Sequence, residues 1–212
     1  MTSSSRKERD REMRRGQILD AAREVFIAKG FLGATMEEIA ERADYSQATL
    51  YLYFKNKYDL YTTLAFGLLV RLAEELERLD QAPGLGPVEK LRETPRVLFE
   101  VYQEDPGTMV NLFRLQSSSG LKDLTPEMVV RLNGVSARII RRLAGFFEDG
   151  MEAGLFRREH PVAAADTVWG LFTGLVLWEE SKNFFDPGKK YLKPTLDSAV
   201  RIFLDGLSRT LA

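Results

Sequence analysis

Apolar residues recur every three or four positions along almost the whole chain, and alternating runs rich in Val, Ile and Thr are absent. Such spacing is typical of amphipathic helices, since an α-helix completes a turn in about 3.6 residues. Ile18, Ala22 and Val25 form one apolar stripe, which predicts a first helix over 11–29 that ends at Gly30. The pattern therefore predicts an all-α fold.

Two short helices follow, separated by a tight turn. Thr35 and Glu38 have the spacing of a capping box, which predicts a helix over 35–43. Ser46 is a typical N-cap residue and predicts a third helix over 46–54. A helix pair joined by so short a turn has the spacing of a helix-turn-helix, although plain αα-corners share it.

A fourth helix is predicted over 57–80, and Pro or Gly residues separate the helical stretches that come after it. These later stretches are 88–104, 106–117, 126–153, 162–185 and 192–211. Pro95 lies inside the first of them. We expect a kink or a break there, because proline lacks the N–H group that a helix interior uses.

The composition excludes several classes of protein. The 212 residues include no cysteine, which rules out disulfide scaffolds, thiolate metal sites and thiol nucleophiles, and His160 is the only imidazole. Glu-x-x-His pairs, a phosphate-binding loop and a dinucleotide fingerprint are absent, so we predict neither an enzyme nor a metal or cofactor site. Without an uninterrupted apolar run of about 18 residues, we expect a cytoplasmic protein that does not enter a membrane.

The net charge is only −1, but the first 15 residues carry six basic side chains against three acidic ones. A charge run of this kind is usually a solvated, frayed tail. The alternative is an arm that reaches DNA phosphates. Taken alone, the charge run favours the tail.

The predicted helix pair also resembles a known family. The segments TMEEIA at 35–40 and ADYSQATLYLYFKNKYDL at 43–60 are similar to the DNA-binding segment of the TetR family of repressors. The residues ILDAA at 18–22, together with Phe26 and Gly30-Phe31, match the first helix of that family. The resemblance therefore covers about 15–60 of the chain.

Two positions depart from the pattern of the family. Glycine is usual where Asp44 stands and frequent where Ala48 stands. Because aspartate tolerates a left-handed backbone better than most residues, we expect Asp44 to preserve the turn. Ala48 and the unusual Tyr45 bear instead on which operator is preferred.

The resemblance implies a division of roles within this segment. Base edges in the major groove would be contacted by Gln47, Ala48, Thr49 and Tyr51. Phosphates would be contacted by Thr35, Ser46, Tyr53 and Lys57. The first set would specify the sequence of double-stranded operator DNA, and the second set would position the protein on it.

The resemblance further implies two domains. Residues 1–57 would form a three-helix DNA-binding helix-turn-helix domain with a basic N-terminal arm, and 58–212 a larger helical domain for ligand binding and dimerisation. Apolar stripes such as those of 162–185 more often form the core of a monomer. Two long apolar C-terminal helices also suit the four-helix seam of a homodimer, which the family favours. A two-fold dimer would bind a pseudo-palindromic operator.

Large, adaptable side chains of the middle helices are candidates for an effector pocket. Those predicted are Phe99, Tyr102, Met109, Phe113, Phe147, Phe172 and Trp178. Aromatic and Met residues at helical spacing more often simply fill a core. If these residues line a pocket, its apolar character predicts a small hydrophobic effector, such as a fatty acyl or aromatic compound.

The sequence as a whole predicts a DNA-binding transcriptional regulator, specifically a repressor that a small hydrophobic effector releases from its operator. The alternative is a helical adaptor that binds protein partners. An adaptor would show neither sequence-specific DNA binding nor the steep salt dependence that accompanies phosphate contacts.

Overall fold

The computed structural model describes residues 3–116, 124–186, 188 and 190–208, and within these residues the chain is helical without a strand. The described helices are α1 (Ser3–Gly33), α2 (Met36–Arg42), α3 (Gln47–Tyr51), α4 (Lys57–Asp80), α5 (Pro87–Glu104), α6 (Pro106–Gln116), α7 (Pro126–Glu152), α8 (Pro161–Phe185) and α9 (Leu192–Leu207). The predicted all-α class is confirmed. The predicted ends of the helices over 106–117 and 192–211 fall outside the described residues.

The first helix differs from its prediction at its start. It begins at Ser3 rather than near residue 11, so the basic segment is helical and not a frayed tail. At the other end, Gly30 leaves the helical conformation with φ 69° and ψ 169°, where a side chain would be strained. The chain then completes a last turn, in which the amide of Ala34 donates to the carbonyl of Gly30.

The chain divides into two compact units. One comprises the described residues of 1–67 and 107–129, and the other comprises those of 68–106 and 130–212. In the first unit, α1 packs against α2, and α2 packs against α3. The apolar pattern predicts that seven residues close the small core of this helix pair. Six of them are buried, namely Val25, Phe26, Ile39, Ala40, Leu50 and Phe54, and Ala43 is half-buried.

An aromatic cluster fills the remainder of the first unit. The ring of the fully buried Tyr61 lies edge-on to Phe26 and Phe31, at 5.5 and 5.0 Å between ring centroids. Phe31 also meets Tyr58 at 4.9 Å. Edge-to-face pairs such as these add to the free energy gained from burial, so the cluster holds the end of α1 against the start of α4.

In the second unit, α9 packs against both α5 and α8. Its α5 continues from Pro87 to Glu104 through the buried Pro95, so the predicted break is wrong. The hydroxyl of the preceding Thr94 donates to the carbonyl of Lys90, which keeps this buried polar group satisfied beside the proline. Packing of the apolar face of α5 compensates for the one ladder bond that the proline cannot make.

Ion pairs join the end of α4 to its neighbours within the second unit. Arg138 of α7 donates from two nitrogens to Glu77, at 2.6 Å each, and Asp80 accepts from Arg142 and from Lys90. The hydrogen bond from Arg138 lowers the pKa of Glu77, and the same bond raises the pKa of Arg138. The bidentate geometry makes the pair directional as well as charged.

The helix α8 carries apolar residues around its whole circumference. Its segment Pro161–Asn183 is long and apolar enough to cross a membrane by length and composition, and 28% of that window is buried within the chain. A composition of this kind also occurs in the helices of soluble proteins that lie in cores and interfaces. The helix thus exposes apolar surface that the rest of the described chain does not cover.

Candidate DNA-binding surface

The capping box predicted at the start of α2 is confirmed. The amide of Glu38 donates to the Thr35 hydroxyl at 3.2 Å, and the amide of Thr35 donates to the Glu38 carboxylate at 3.1 Å. Lys29 of α1 donates to the same carboxylate at 2.6 Å. These donors, Lys29 foremost, lower the pKa of Glu38, so the charged form that caps α2 is favoured.

The turn between α2 and α3 depends on a left-handed residue. Asp44 has φ 58°, and it is the one described non-glycine residue with positive φ. The amide of Tyr45 closes the turn on the carbonyl of Ala40 at 3.0 Å. The Tyr45 hydroxyl then donates to the side-chain oxygen of Gln17 on α1 at 2.6 Å. Asp44 therefore takes the conformation for which the family usually uses glycine.

The third helix, α3, is shorter than predicted. Ser46 caps it by accepting from the amide of Thr49 at 3.2 Å, and the Ser46 and Thr49 hydroxyls lie 2.9 Å apart. The helix ends at Tyr51 rather than at Phe54. At this end the amides of Leu52 and Tyr53 donate to the carbonyls three residues earlier, of Thr49 and Leu50, and the buried Phe54 donates from its amide to Leu50 as well.

The burial pattern of this segment separates a core side from a solvent side. Leu50 and Phe54 are buried, whereas Thr49 and Tyr53 are half-buried. The exposed residues are Ser46, Gln47, Ala48, Tyr51 and Leu52. A short capped helix therefore presents amide, methyl and aromatic groups to solvent from a rigid base, which is the arrangement that major-groove contacts require.

Leu52 is a candidate contact that the sequence prediction did not assign. Its side chain is 76% exposed, more than that of Tyr51 at 53%. A large apolar side chain next to a recognition helix can contact thymine methyl groups or sugars. The sequence contains one signal for this contact. Leu52 stands between Tyr51 and Tyr53, at a position where an apolar side chain has no core to fill.

Lys57 has a structural role besides the predicted one. Its ammonium group donates to the carbonyls of Ala34 at 2.7 Å and of Leu32 at 3.3 Å, and it lies 4.8 Å from the ring centre of Phe31. Burial lowers the pKa of Lys57. An ammonium group has three donors, so two carbonyls leave one donor for a phosphate. The phosphate contact of Lys57 stays a prediction.

The predicted effector residues are divided between the two units. Met109 and Phe113 are fully buried in the first, and Phe147 and Phe172 are fully buried in the second. Phe147 packs against Phe156 and Phe203, at 6.2 and 6.0 Å between ring centroids. These residues contribute to the cores of their units, and their part in a pocket stays a prediction.

The three other effector candidates lie nearer the surface of the second unit. Phe99 and Tyr102 are half-buried, with ring centroids 6.2 Å apart. Burial and the carboxylates of Glu180 and Glu179 raise the pKa of Tyr102. Trp178 is 59% exposed, so the structure places it on the outside of α8 and does not bring it into a cavity of this unit.

Comparisons with known proteins agree with this architecture. A model of "Bacterial regulatory proteins, tetR family" matches residues 18–64, and a model of "AefR-like transcriptional repressor, C-terminal domain" matches 92–206. The chain is 51% identical over 51 residues to the transcriptional activator FasR of Mycolicibacterium smegmatis. It is 34% identical over 110 residues to the transcriptional repressor KstR of Rhodococcus jostii.

These two alignments are partial. The FasR match covers 24% of this chain and 23% of FasR, and the KstR match covers 50% of this chain and 46% of KstR. The chain therefore spans less than half of the length of each of these curated relatives. A longer structural match is to FadR of Thermus thermophilus, solved in complex with lauroyl-CoA. It has 27% identity, covers 93% of this chain and 97% of FadR, and has a TM-score of 0.65.

Over the described residues, a capped helix-turn-helix followed by a larger helical region is the architecture of DNA-binding transcriptional regulators. The two family models together cover more than half of the chain. The chain belongs to the TetR family of bacterial regulatory proteins.

Proposed function

We propose that this protein is a transcriptional repressor that binds a specific operator through α3. The observation that carries the proposal is the solvent side of the capped helix-turn-helix, where Gln47, Ala48 and Tyr51 are exposed from a buried base of Leu50 and Phe54. Residues 1–57 carry DNA binding, and 58–212 carry effector binding and dimerisation. Because its target is chromosomal DNA, the protein acts in the cytoplasm.

Base contacts come from Gln47, Ala48, Thr49 and Tyr51. Glutamine suits the edge of adenine, and the methyl groups of alanine and threonine suit the methyl group of thymine. Phosphate contacts come from Thr35, Ser46, Tyr53 and Lys57. The side chains of Thr35 and Ser46 lie at helix N-termini, where backbone amides and the helix dipole favour anionic oxygens.

The protein binds its operator as a homodimer formed by α8 and α9. The apolar surface of α8 that the chain leaves uncovered supports this, as do Trp178 and Ile202, which are 59% and 62% exposed. Exposed apolar faces of this kind usually mark an interface. A two-fold dimer places two copies of α3 about one turn of DNA apart or slightly more, which requires a pseudo-palindromic operator.

A small hydrophobic compound, of the fatty acyl or aromatic type, releases the protein from DNA. Two observations support this class of effector: the lauroyl-CoA complex of the Thermus FadR, and the buried aromatic and Met side chains of α6, α7 and α8. An effector that prefers the form with weaker DNA affinity lowers that affinity by the same coupling free energy, typically about 1–3 kcal/mol.

The test is fluorescence anisotropy with the DNA upstream of its own gene, at several salt concentrations and with unrelated competitor duplex. We expect binding that survives the competitor, and release by acyl-CoA of medium or long chain length. If that DNA binds no better than the unrelated duplex, selection from random sequences is the next step. Failure to select any sequence would overturn the proposal and favour the adaptor.

A further inference from the structure

The first turns of α1 form an exposed basic helix. We call residues 6–14 the N-terminal arm. Every side chain from 6 to 14 is exposed, including Met13 at 57%. The helix is continuous from Ser3 to Gly30, which alone has non-helical dihedral angles within α1. At about 1.5 Å per residue, the arm extends roughly 16 Å from Ile18 to Lys7.

The basic residues of the arm are not spread evenly around it. Lys7, Arg11 and Arg14 are spaced by four and three residues, so they lie on one side of the helix. Glu8 and Glu12 fall on other sides, whereas Asp10, three residues from Lys7 and four from Arg14, borders the face. The arm therefore has a basic face, defined by Lys7, Arg11 and Arg14, although its total charge is only moderately positive.

This basic face continues the side of α1 that packs in the core. Lys7 and Val25 are 18 residues apart, which is five helical turns, so they point in the same direction. Ile18, between them in the same stripe, is fully buried. The buried stripe of α1 thus continues as a cationic stripe where the helix extends beyond the core.

The arm leaves the first unit next to the recognition helix. The guanidinium group of Arg15, the residue that follows the arm, lies 5.2 Å from the ring centre of Phe54. The backbone amide of Phe54 in turn donates a hydrogen bond to the carbonyl of Leu50 in α3. The arm therefore leaves the first unit beside the segment that follows α3.

We propose that the basic face of the N-terminal arm binds the phosphate backbone of the operator, beside the bases that α3 contacts. This inference rests on the proposed function. Charge complementarity and continuity with the α3 surface favour DNA as the occupant. Lys7, Arg11 and Arg14 position the protein without selecting sequence, because phosphates carry no base information. Each contact releases condensed counterions from DNA.

The test compares two double variants with the same change in charge. Lys7→Gln/Arg11→Gln removes two cations from the basic face, and Arg6→Gln/Arg9→Gln removes two cations from the other sides of the same segment. Both are titrated with the operator duplex selected by the wild type, over a series of salt concentrations. Since the sites are exposed, both variants should melt at the temperature of the wild type.

For the basic-face variant we expect a salt slope shallower by about 2, and operator affinity lower by roughly 10- to 100-fold at low salt. Arg6→Gln/Arg9→Gln should keep the slope of the wild type. Equal slopes for the two variants would overturn the proposal, whether both change or neither does, because binding would not then depend on the face of the helix. If the wild type itself selects no operator, the proposed function fails, and this inference fails with it.

Discussion

The hydroxyl of Tyr61 donates a hydrogen bond of 2.6 Å to the backbone carbonyl of Thr108. Tyr61 is on α4, close to the start that follows the recognition helix, and Thr108 is in the first turn of α6. Both residues are buried. This bond therefore fixes α6 to the aromatic cluster of the first unit, in a setting where water cannot replace it.

Replacing Tyr61 by phenylalanine tests how much this hydrogen bond contributes to the free energy of unfolding. We expect Tyr61→Phe to lower the free energy of unfolding by about 1 kcal/mol, because a buried carbonyl loses a donor while the ring still packs. Denaturation with urea measures the change. Tyr51→Phe is the control, since its ring is exposed and its loss of a hydroxyl should leave stability unchanged. Equal stability of both variants would contradict the assignment.

A close approach between Gly150 and Phe156 gives a second prediction. A Cβ atom at Gly150 would lie 2.5 Å from the Phe156 ring, whereas one at Gly145 of the same helix would meet nothing within 4 Å. We expect Gly150→Ala to destabilise the protein by about 1–3 kcal/mol through overpacking. Gly145→Ala should instead be neutral or stabilising by up to about 1 kcal/mol through helix propensity. Thermal melting of both variants compares them, and similar melting temperatures would refute the steric explanation.

The ion pair between Glu77 and Arg138 predicts a dependence of stability on pH. The pKa of Glu77 is lowered from its ordinary value of 4.5, so the unfolded chain takes up the proton first as the pH falls. The pair therefore contributes stability above pH 4.5, and the contribution is lost as the pH falls through the lowered pKa of the folded state. Glu77→Gln should be less stable than the wild type at neutral pH, and the two should converge in acid. A constant difference across this range, measured by urea denaturation, would disprove the linkage.

The sequence predicted those features that depend on neighbouring residues. The Thr35–Glu38 capping box, the Ser46 cap and the left-handed turn at Asp44 all follow from local hydrogen bonding and backbone sterics. The apolar stripe that includes Ile18 and Val25 predicted the core of the first unit. Local rules sufficed here because a helix-turn-helix brings together elements that are adjacent in the chain.

Features that depend on distant contacts were missed. The Lys57 ammonium binds carbonyls more than twenty residues earlier, and no local pattern indicates this. Pro95 was expected to kink or break α5, but the helix continues through it, because burial of the surrounding apolar face outweighs one missing hydrogen bond. Trp178 is predicted to line a pocket; it is 59% exposed on an α-helix that is apolar all round, and its part in a pocket stays a prediction. Periodicity cannot choose a side when nearly every side is apolar.

Lys57 allows the structural and the DNA-binding roles of one side chain to be separated. Lys57→Met keeps the aliphatic stem against Phe31 but removes the donors to Leu32 and Ala34. We expect this variant to lose about 1 kcal/mol of stability, because the carbonyl of the buried Ala34 loses a charged donor. If Lys57 also binds a phosphate, the variant binds all duplexes more weakly, with a salt slope shallower by about 1.

The control is Thr49→Ala, which changes a predicted base contact and should alter the preference among operator sequences while keeping the salt slope. Anisotropy titrations below the melting temperature of each variant measure both quantities. A Lys57→Met protein that is less stable but retains the full salt slope would leave the carbonyl bonds as the whole role of this lysine. In that case the helix-turn-helix would take its phosphate contacts from Thr35, Ser46 and Tyr53 instead.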